Sequence, residues 1–370
     1  MIKSLRNAFY TSSAVILFCL MQDLALAFPE NIRHGYTNCQ SCHVSPTGGG
    51  VLTEYGRRSS EEFMFTWSKP NEADFLSGAV KPPEKLNIGG DVRFLSLHKD
   101  NKITESNVGF PMQVDLELSY KFFDQLTVDL GVGSYDGTPD VRRYYLMYQQ
   151  SENWYMRAGK FFPAFGIMNP DHSIVTRRIL KFDQSQETTN FEAGYLSENF
   201  EWIIDAISGS GAAGMPRDDG YSSRFAYYIG KNNQVGASYL HGKGVIWERD
   251  VYGAFALVSL GGGGLLQTEI DSQTRKAIDS EDLSLPKYTA LITFTRLSWE
   301  LTRGLNIFGT YESMDPDKST FSQEQRSYGP GIQWFPRPHL EFLAKVEAKL
   351  DEAYSKDYGN QALLMSHYYF

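Results

Sequence analysis

The stretch YTNCQSCHVSPTGGG, residues 36–50, carries the clearest chemical pattern in the chain, because Cys39, Cys42 and His43 spell C-x-x-C-H. Two thiols at this spacing match the two vinyl groups of a haem. An imidazole directly after the second thiol is then set beneath the iron as its proximal ligand. The pattern predicts one covalently bound haem c, with Cys39 and Cys42 as attachment points and His43 on the metal. A disulfide or a zinc pair is the competing reading, but zinc wants two further ligands and no second cysteine pair exists. The sixth iron position is open between Met64, in EEFMFTW, His34, five residues before Cys39, and no protein ligand at all. A thioether would raise the reduction potential and a second imidazole would lower it. Simple packing of Met64 and surface exposure of His34 are the alternatives. Arg57 and Arg58 offer guanidinium forks for the haem propionates, against a plain solvated role. SPTGGG, residues 45–50, reads as a flexible turn that lets the chain fold back on the ring. It is no phosphate loop, since no G-K-[ST] follows.

The rest of the chain must hold that motif in place. Lys3 and Arg6, the apolar run SSAVILFCLM (13–22) and Ala25-Leu26-Ala27 form a secretion signal, predicting a mature start at Phe28. Phe18 stands where a small residue would precede a lipidated cysteine, so Cys19 is expected to leave with the signal. Two basic residues and one acidic residue leave as well, taking the net charge from −9 to −10 and arguing against a nucleic-acid partner. An exported chain left with Cys39 and Cys42 alone has no disulfide framework. Past the signal no apolar run reaches the roughly 18 residues of a spanning helix. Yet 22 Tyr and 24 Phe make the chain rich in aromatics, as a transmembrane barrel with half-apolar strands would be.

Alternation decides between these. In MQVDLELSYK (112–121), Met112, Val114, Leu116, Leu118 and Tyr120 fall on one face and Gln113, Asp115, Glu117, Ser119 and Lys121 on the other. HLEFLAKVEAKL (339–350) alternates in the same way, against its helical propensity. Counting such segments from residue 86 to 370 gives about 16 strands by period-two alternation. Short connections such as FFDQ and SENW alternate with long polar ones at 98–109, 273–286 and 315–323. Short turns on one side and long loops on the other is the plan of an all-β, antiparallel outer-membrane barrel. The last strand carries Ala362, Leu364, Tyr368 and Phe370 on one face, and a terminal aromatic resembles the insertion signal of such barrels. A soluble β-sandwich is the alternative. The expected organisation is a signal peptide at 1–27, a monohaem segment at 28–84 and the barrel at 85–370.

A second group of basic residues comprises Arg142, Arg143, Arg157 and Lys160 on adjacent predicted strands, with Arg177, Arg178 and Lys181 beyond. RAGKFFPAFG (157–166) resembles a porin segment that ends a strand and begins an inward-folded loop. If 162–189 enters the lumen, its cations would favour anions or haem propionates; ordinary lumen and loop charges are the other reading. No Ser-His-Asp set, paired carboxylate site or nucleotide motif stands out.

Pro29, Arg33, Cys39, Cys42, His43, Leu52, Gly56 and Arg57 read as P-x-x-x-R…C-x-x-C-H…L-x-x-x-G-R. On these residues the chain resembles the fused monohaem cytochrome c–porin group, whose best-known members are outer-membrane iron oxidases. The close match covers about 30 residues around the motif; beyond it the agreement is one of architecture, and the SPTGGG insert is a difference. The resemblance implies electron transfer through one haem between an external donor or acceptor and a periplasmic carrier. It also implies a lipid-embedded barrel, with metal-oxidase-like activity rather than bond chemistry on a substrate. An anion-selective diffusion porin with a haem-bearing plug or redox sensor is the alternative function, and a haem sensor or assembly factor a third.

Overall fold

The computed structural model describes residues 29–100, 105–135, 137–169, 171, 174–182, 186–209, 218–244, 247–278, 287–318, 323–353 and 355–370. The expected signal peptide lies outside them. Sixteen strands follow one another around a closed antiparallel barrel. They are β1 (Leu86–Asp100), β2 (Glu105–Phe123), β3 (Leu126–Tyr135), β4 (Thr138–Gln149), β5 (Trp154–Phe161), β6 (Thr188–Leu196), β7 (Phe200–Ser208) and β8 (Asp219–Ile229). The second half is β9 (Asn233–Lys243), β10 (Trp247–Gly261), β11 (Gly264–Ala277), β12 (Lys287–Thr302), β13 (Leu305–Asp315), β14 (Gln325–Arg337), β15 (Leu340–Asp351) and β16 (Gly359–Tyr369). β1 pairs with β16 from Asp91↔Tyr369 to Asp100↔Asn360, so no edge is left open.

Alternation sets the two faces. Val114, Leu116, Leu130, Leu146, Ile204 and Val346 point outward and are exposed, while Glu192, Gln267, Asp271 and Glu341 point inward and are buried. Exposed rings border the outer band at both ends. Phe122, Trp154 and Trp202 lie at the short-turn end, and Tyr221, Tyr252 and Tyr288 at the long-loop end. Apolar outside, polar inside and ringed with aromatics is the surface of a barrel whose outside meets lipid.

The ladders run further than the apolar pattern. Instead of a loop over 98–109, β1 and β2 stay paired out to Asp100↔Glu105, with His98 Nδ1 2.6 Å from Asn107 Oδ1. β11 likewise continues to Ala277. Backbone pairing needs no apolar face, so strands continue where the two-faced pattern has ended. Two β-bulges also shift the phase. One in the β1–β2 pairing turns both Met112 and Gln113 inward, so Met112 is buried, separated from Val114 and Leu116. The other, in the β3–β4 pairing, turns Arg142 and Arg143 inward together. Phe370 departs as well, since it leaves the outer face of Tyr368 and its ring lies 5.8 Å from that of Phe75.

Residues 29–85 close the short-turn end. A 3-10 turn at Pro29–His34 presents Arg33, which donates to Gly263 O at 3.0 Å and Asn306 Oδ1 at 3.1 Å. Helix α1 (Glu54–Phe63) starts at Thr53, whose hydroxyl accepts from Gly56 N at 3.0 Å. Thr66 N donates to Phe335 O at 3.0 Å, and Glu72 receives two bonds of 2.7 Å from Arg337.

From the other direction, the segment after β5 folds inward, as RAGKFFPAFG predicts. Its backbone is held by acids of the wall: Ala164 N donates to Asp205 at 3.2 Å, Ile167 N to Glu269 at 2.9 Å and Val175 N to Glu312 at 2.8 Å. Arg224 and Arg249 return bonds to the carbonyls of Gly166 and Leu180 at 2.8 and 2.9 Å. Helix α2 (Val175–Leu180) packs Val175, Leu180 and Phe182 against Leu240, Val251 and Ile292.

Arg33→Ala removes a largely enclosed donor from two acceptors of the wall, and should loosen residues 29–85 by about 1–3 kcal/mol. Arg337→Ala breaks a pair open to solvent and should have little effect. Limited proteolysis of the folded barrel should therefore release this segment faster in the first variant and at the wild-type rate in the second.

Candidate functional site

Between the N-terminal segment and the inward loop lies a lumen chamber with about 1750 Å³ of empty space, its open mouths included. Cys39, His43, Leu52 and Met64 line it from the segment, and Phe161, Phe162, Met168 and Phe182 from the loop and its base. Arg93, Arg142, Arg143, Arg157 and Arg177 line it as well. Six of the arginines and sulfur residues that the sequence singles out thus meet at one place: Cys39, Met64, Arg142, Arg143, Arg157 and Arg177.

The motif is held rigidly. Cys42 N and His43 N both donate to Cys39 O, at 3.2 and 3.0 Å, closing a tight turn in which Cys39 lines the chamber and Cys42 packs into the cluster beside it. His43 pairs with Leu52 across a short bridge, and its Nδ1 lies 3.3 Å from Gly50 O. A bond from Nδ1 to a carbonyl fixes the ring and leaves Nε2 as the nitrogen for an iron. Burial pushes the Cys39 thiol up to about 12, with Glu201 adding to the effect and Arg224 opposing it. Burial, then the neighbouring Cys39, raises Cys42 too. Both are therefore held as neutral thiols rather than thiolates.

The resemblance motif has a structural logic. A Cβ on Gly56 would stand 2.4 Å from Cys42 O, so only glycine lets α1 pack on the turn that carries the motif. Thr53 N also donates to that carbonyl, at 2.8 Å. The insert SPTGGG is the docking element. Arg157 donates to Ser45 Oγ at 3.0 Å and to Thr47 Oγ1 at 2.7 Å, while pairing with Glu192 at 2.7 Å. A Cβ on Gly50, where φ is +69°, would collide with the Arg143 guanidinium.

Other expected site residues lie elsewhere. The Arg57 guanidinium donates to Ile88 O and sits 6.0 Å from the Phe75 ring, holding α1 to β1 outside the chamber. Arg58 pairs with Glu54 on the surface at 3.2 Å. His34 lies 3.1 Å from Glu300, stacks near Phe63 and does not line the chamber. Lys160 pairs with Asp140 at 2.9 Å, and Arg178 faces a different part of the lumen. Met64 packs with Tyr36, Cys42, Phe65 and Phe335 while still reaching the chamber. Sequence reading missed Met168, Arg93 and Tyr369. Met168 sits in a loop without periodicity, and the other two become neighbours only when β1 meets β16.

These residues fit a haem. Next to Cys39 and the oriented imidazole is an aromatic-walled space; Cys42 is fully buried in the adjoining cluster with Met64 and Phe65 and does not line it. Arg93 Nε and Tyr369 Oη border it, buried and without a hydrogen-bond partner among the described residues, as groups awaiting a propionate would be. Arg142, Arg143 and Arg157 supply further cations, with Arg143 already 2.6 Å from Asp129 and Arg142 3.8 Å from Glu187. Among the described residues no group of three or more His, Cys, Asp or Glu is arranged around a metal ion, so the Cys pair lacks the further ligands that zinc would need.

No family model matches the chain, and no curated protein matches it. Solved structures do match. The outer-membrane OmpT of Vibrio cholerae is 9% identical with a TM-score of 0.59, covering 79% of this chain and 100% of its own. The outer-membrane channel DcaP of Acinetobacter baumannii is 11% identical with a TM-score of 0.57, over 79% of this chain and 99% of its own. OmpF of Salmonella typhi, solved with daunomycin, is 11% identical with a TM-score of 0.54, over 77% and 97%. At such identities the likeness is one of fold: the chain is a closed sixteen-strand barrel of the outer-membrane porin type.

Proposed function

We propose that this protein is an outer-membrane electron conduit, with one haem c joined to Cys39 and Cys42, ligated by His43 and enclosed in the barrel lumen. The observation that carries the reading is the chamber itself, where the motif, the aromatic loop and a set of wall arginines converge. The haem would supply a one-electron couple. The chain's own residues do the rest. His43 is oriented by Gly50 O, Arg93 and Tyr369 offer donors to the propionates, and Phe161, Phe162 and Phe182 exclude water from the ring face. Met64 and Met168 both border the space and are the candidates for the sixth position. The outward apolar band faces lipid. The short-turn end, which the N-terminal segment closes, faces a periplasmic carrier, and the long loops face the external donor or acceptor. The acidic net charge of −9 fits neither DNA nor RNA as a partner.

A second reading, a diffusion channel for small solutes with the segment as its plug, is favoured by the likeness to the channel DcaP and to OmpF. A haem-stained gel and visible spectrum of the purified protein separate the two. The conduit requires stain and a reversible spectrum, both lost in Cys39→Ala, and electron passage across proteoliposomes. Absence of covalent haem, with solute conduction unchanged in Cys39→Ala, would establish the channel instead.

Two further outcomes follow from the geometry. Gly56→Ala should destabilise the segment by about 1–3 kcal/mol through overpacking and lower haem content per barrel. In Gly309→Ala, on β13, the new Cβ meets nothing within 4 Å and the backbone is not left-handed, so that variant should keep its haem. In haem-free folded protein, alkylation of Cys39 should keep rising with pH towards about 12, because only the thiolate reacts. The unfolded chain should level off above about 8.5. A folded-state profile that levels off there too would show that the thiol is not enclosed.

A further inference from the structure

We propose that the loop-end half of the lumen is a binding chamber for a small amphipathic anion, an apolar body carrying one carboxylate. This goes beyond the haem reading and does not rest on it, since barrel wall and inward loop form nearly all of the chamber.

A second cavity, about 1480 Å³ with its open mouth, adjoins the first, and Arg93, Asn169 and His367 line both. Positions that face a water-filled lumen are normally polar. The wall built by β1, β2 and β16 is not. Leu95, Leu97, Phe110, Met112, Leu363 and Met365 all line the cavity. Register stacks them in levels, Leu95 opposite Met365 and Phe110, and Leu97 opposite Leu363. The bulge that turns Met112 inward adds it to this surface. Leu343, Phe308 and Phe294 extend the apolar wall towards α2.

Charge is graded along the chamber. At the floor the groups are paired: Arg93 and His367 lie 2.9 and 3.1 Å from Asp91, and His367 lies 2.7 Å from Glu341. There too Glu30 pairs with Arg296 at 3.3 Å. Higher up, where register sets Lys345 level with Leu97 and Glu347 level with Lys99, Lys345 pairs with Glu312 and Glu347 at 3.3 and 2.6 Å. Asp171, from the inward loop, is the remaining acid of the lining. At the mouth stand Lys99 from the end of β1, Lys349 from the end of β15 and Arg178 from α2, all lining the cavity, with Lys349 within electrostatic reach of the other two and of Glu347 and Glu312. Arg178 donates to Gln325 at 3.3 Å. Neither Lys99 nor Lys349 has a carboxylate at ion-pair distance among the described residues.

An apolar wall below a cationic mouth selects for both features at once. The body gains about 25 cal/mol per Å² of apolar surface removed from water, and the carboxylate stays among three cations. A cation with the same body meets repulsion at the mouth, and a small polar anion gains nothing from the wall.

The test is equilibrium dialysis of labelled octanoate against the full-length mature protein in lipid nanodiscs, with empty nanodiscs as the blank. Saturable binding near one octanoate per chain is expected, with octylammonium and acetate at least about tenfold weaker. Leu97→Glu, which sets a like charge against the body, and the double variant Lys99→Glu/Lys349→Glu should each weaken octanoate about tenfold or more. If Leu97→Glu does not insert, the double variant at the solvent-facing mouth carries the test alone. Uptake no greater than that of empty nanodiscs, equal binding of octylammonium, or wild-type affinity in the double variant would overturn the proposal in favour of partition into lipid.

Discussion

Arg157 is the point on which three parts of this molecule converge. Its guanidinium is almost fully enclosed and pairs with Glu192 on the wall. It donates to Ser45 and Thr47 of the N-terminal segment and lies 4.0 Å from the Phe161 ring, where the inward loop begins. A buried cation of this kind is tolerable only when its donors are satisfied together. Barrel, segment and loop thus all meet at one group, at the edge of the chamber that it lines.

The same physics recurs through the lumen. The inward loop is irregular, and a buried irregular backbone must find partners for its N–H groups. Asp205, Glu269 and Glu312 provide them. These lumen acids are therefore structural, while others, Asp91, Asp129 and Glu192 among them, pair the arginines around the chamber.

Much of the barrel is legible in the chain because period-two alternation reports directly on which face meets lipid, and the sixteen counted segments are the sixteen strands. The reading breaks where one residue changes the phase. Met112 and Arg142 sit at bulges that no pattern announces, and Phe370 turns inward after a strand that points it out. Arg57 and Arg93 show the same limit at the site. Both are arginines near the motif in space, yet Arg57 holds a backbone carbonyl while Arg93, far along the chain, borders the chamber. Local spacing places the cysteines and His43; what surrounds them is decided by the closing of the ring.

The long reach of the N-terminal contacts has a consequence for assembly. Arg33 bonds to residues 230 and 273 positions away, and Thr66 and Trp334 meet across 268. The segment is made first, but these partners arrive only with β10 to β14, so its docking is completed late. Once the ring closes, Cys42 is sealed from solvent. If haem is joined to Cys42, as proposed, its attachment has to precede that closure.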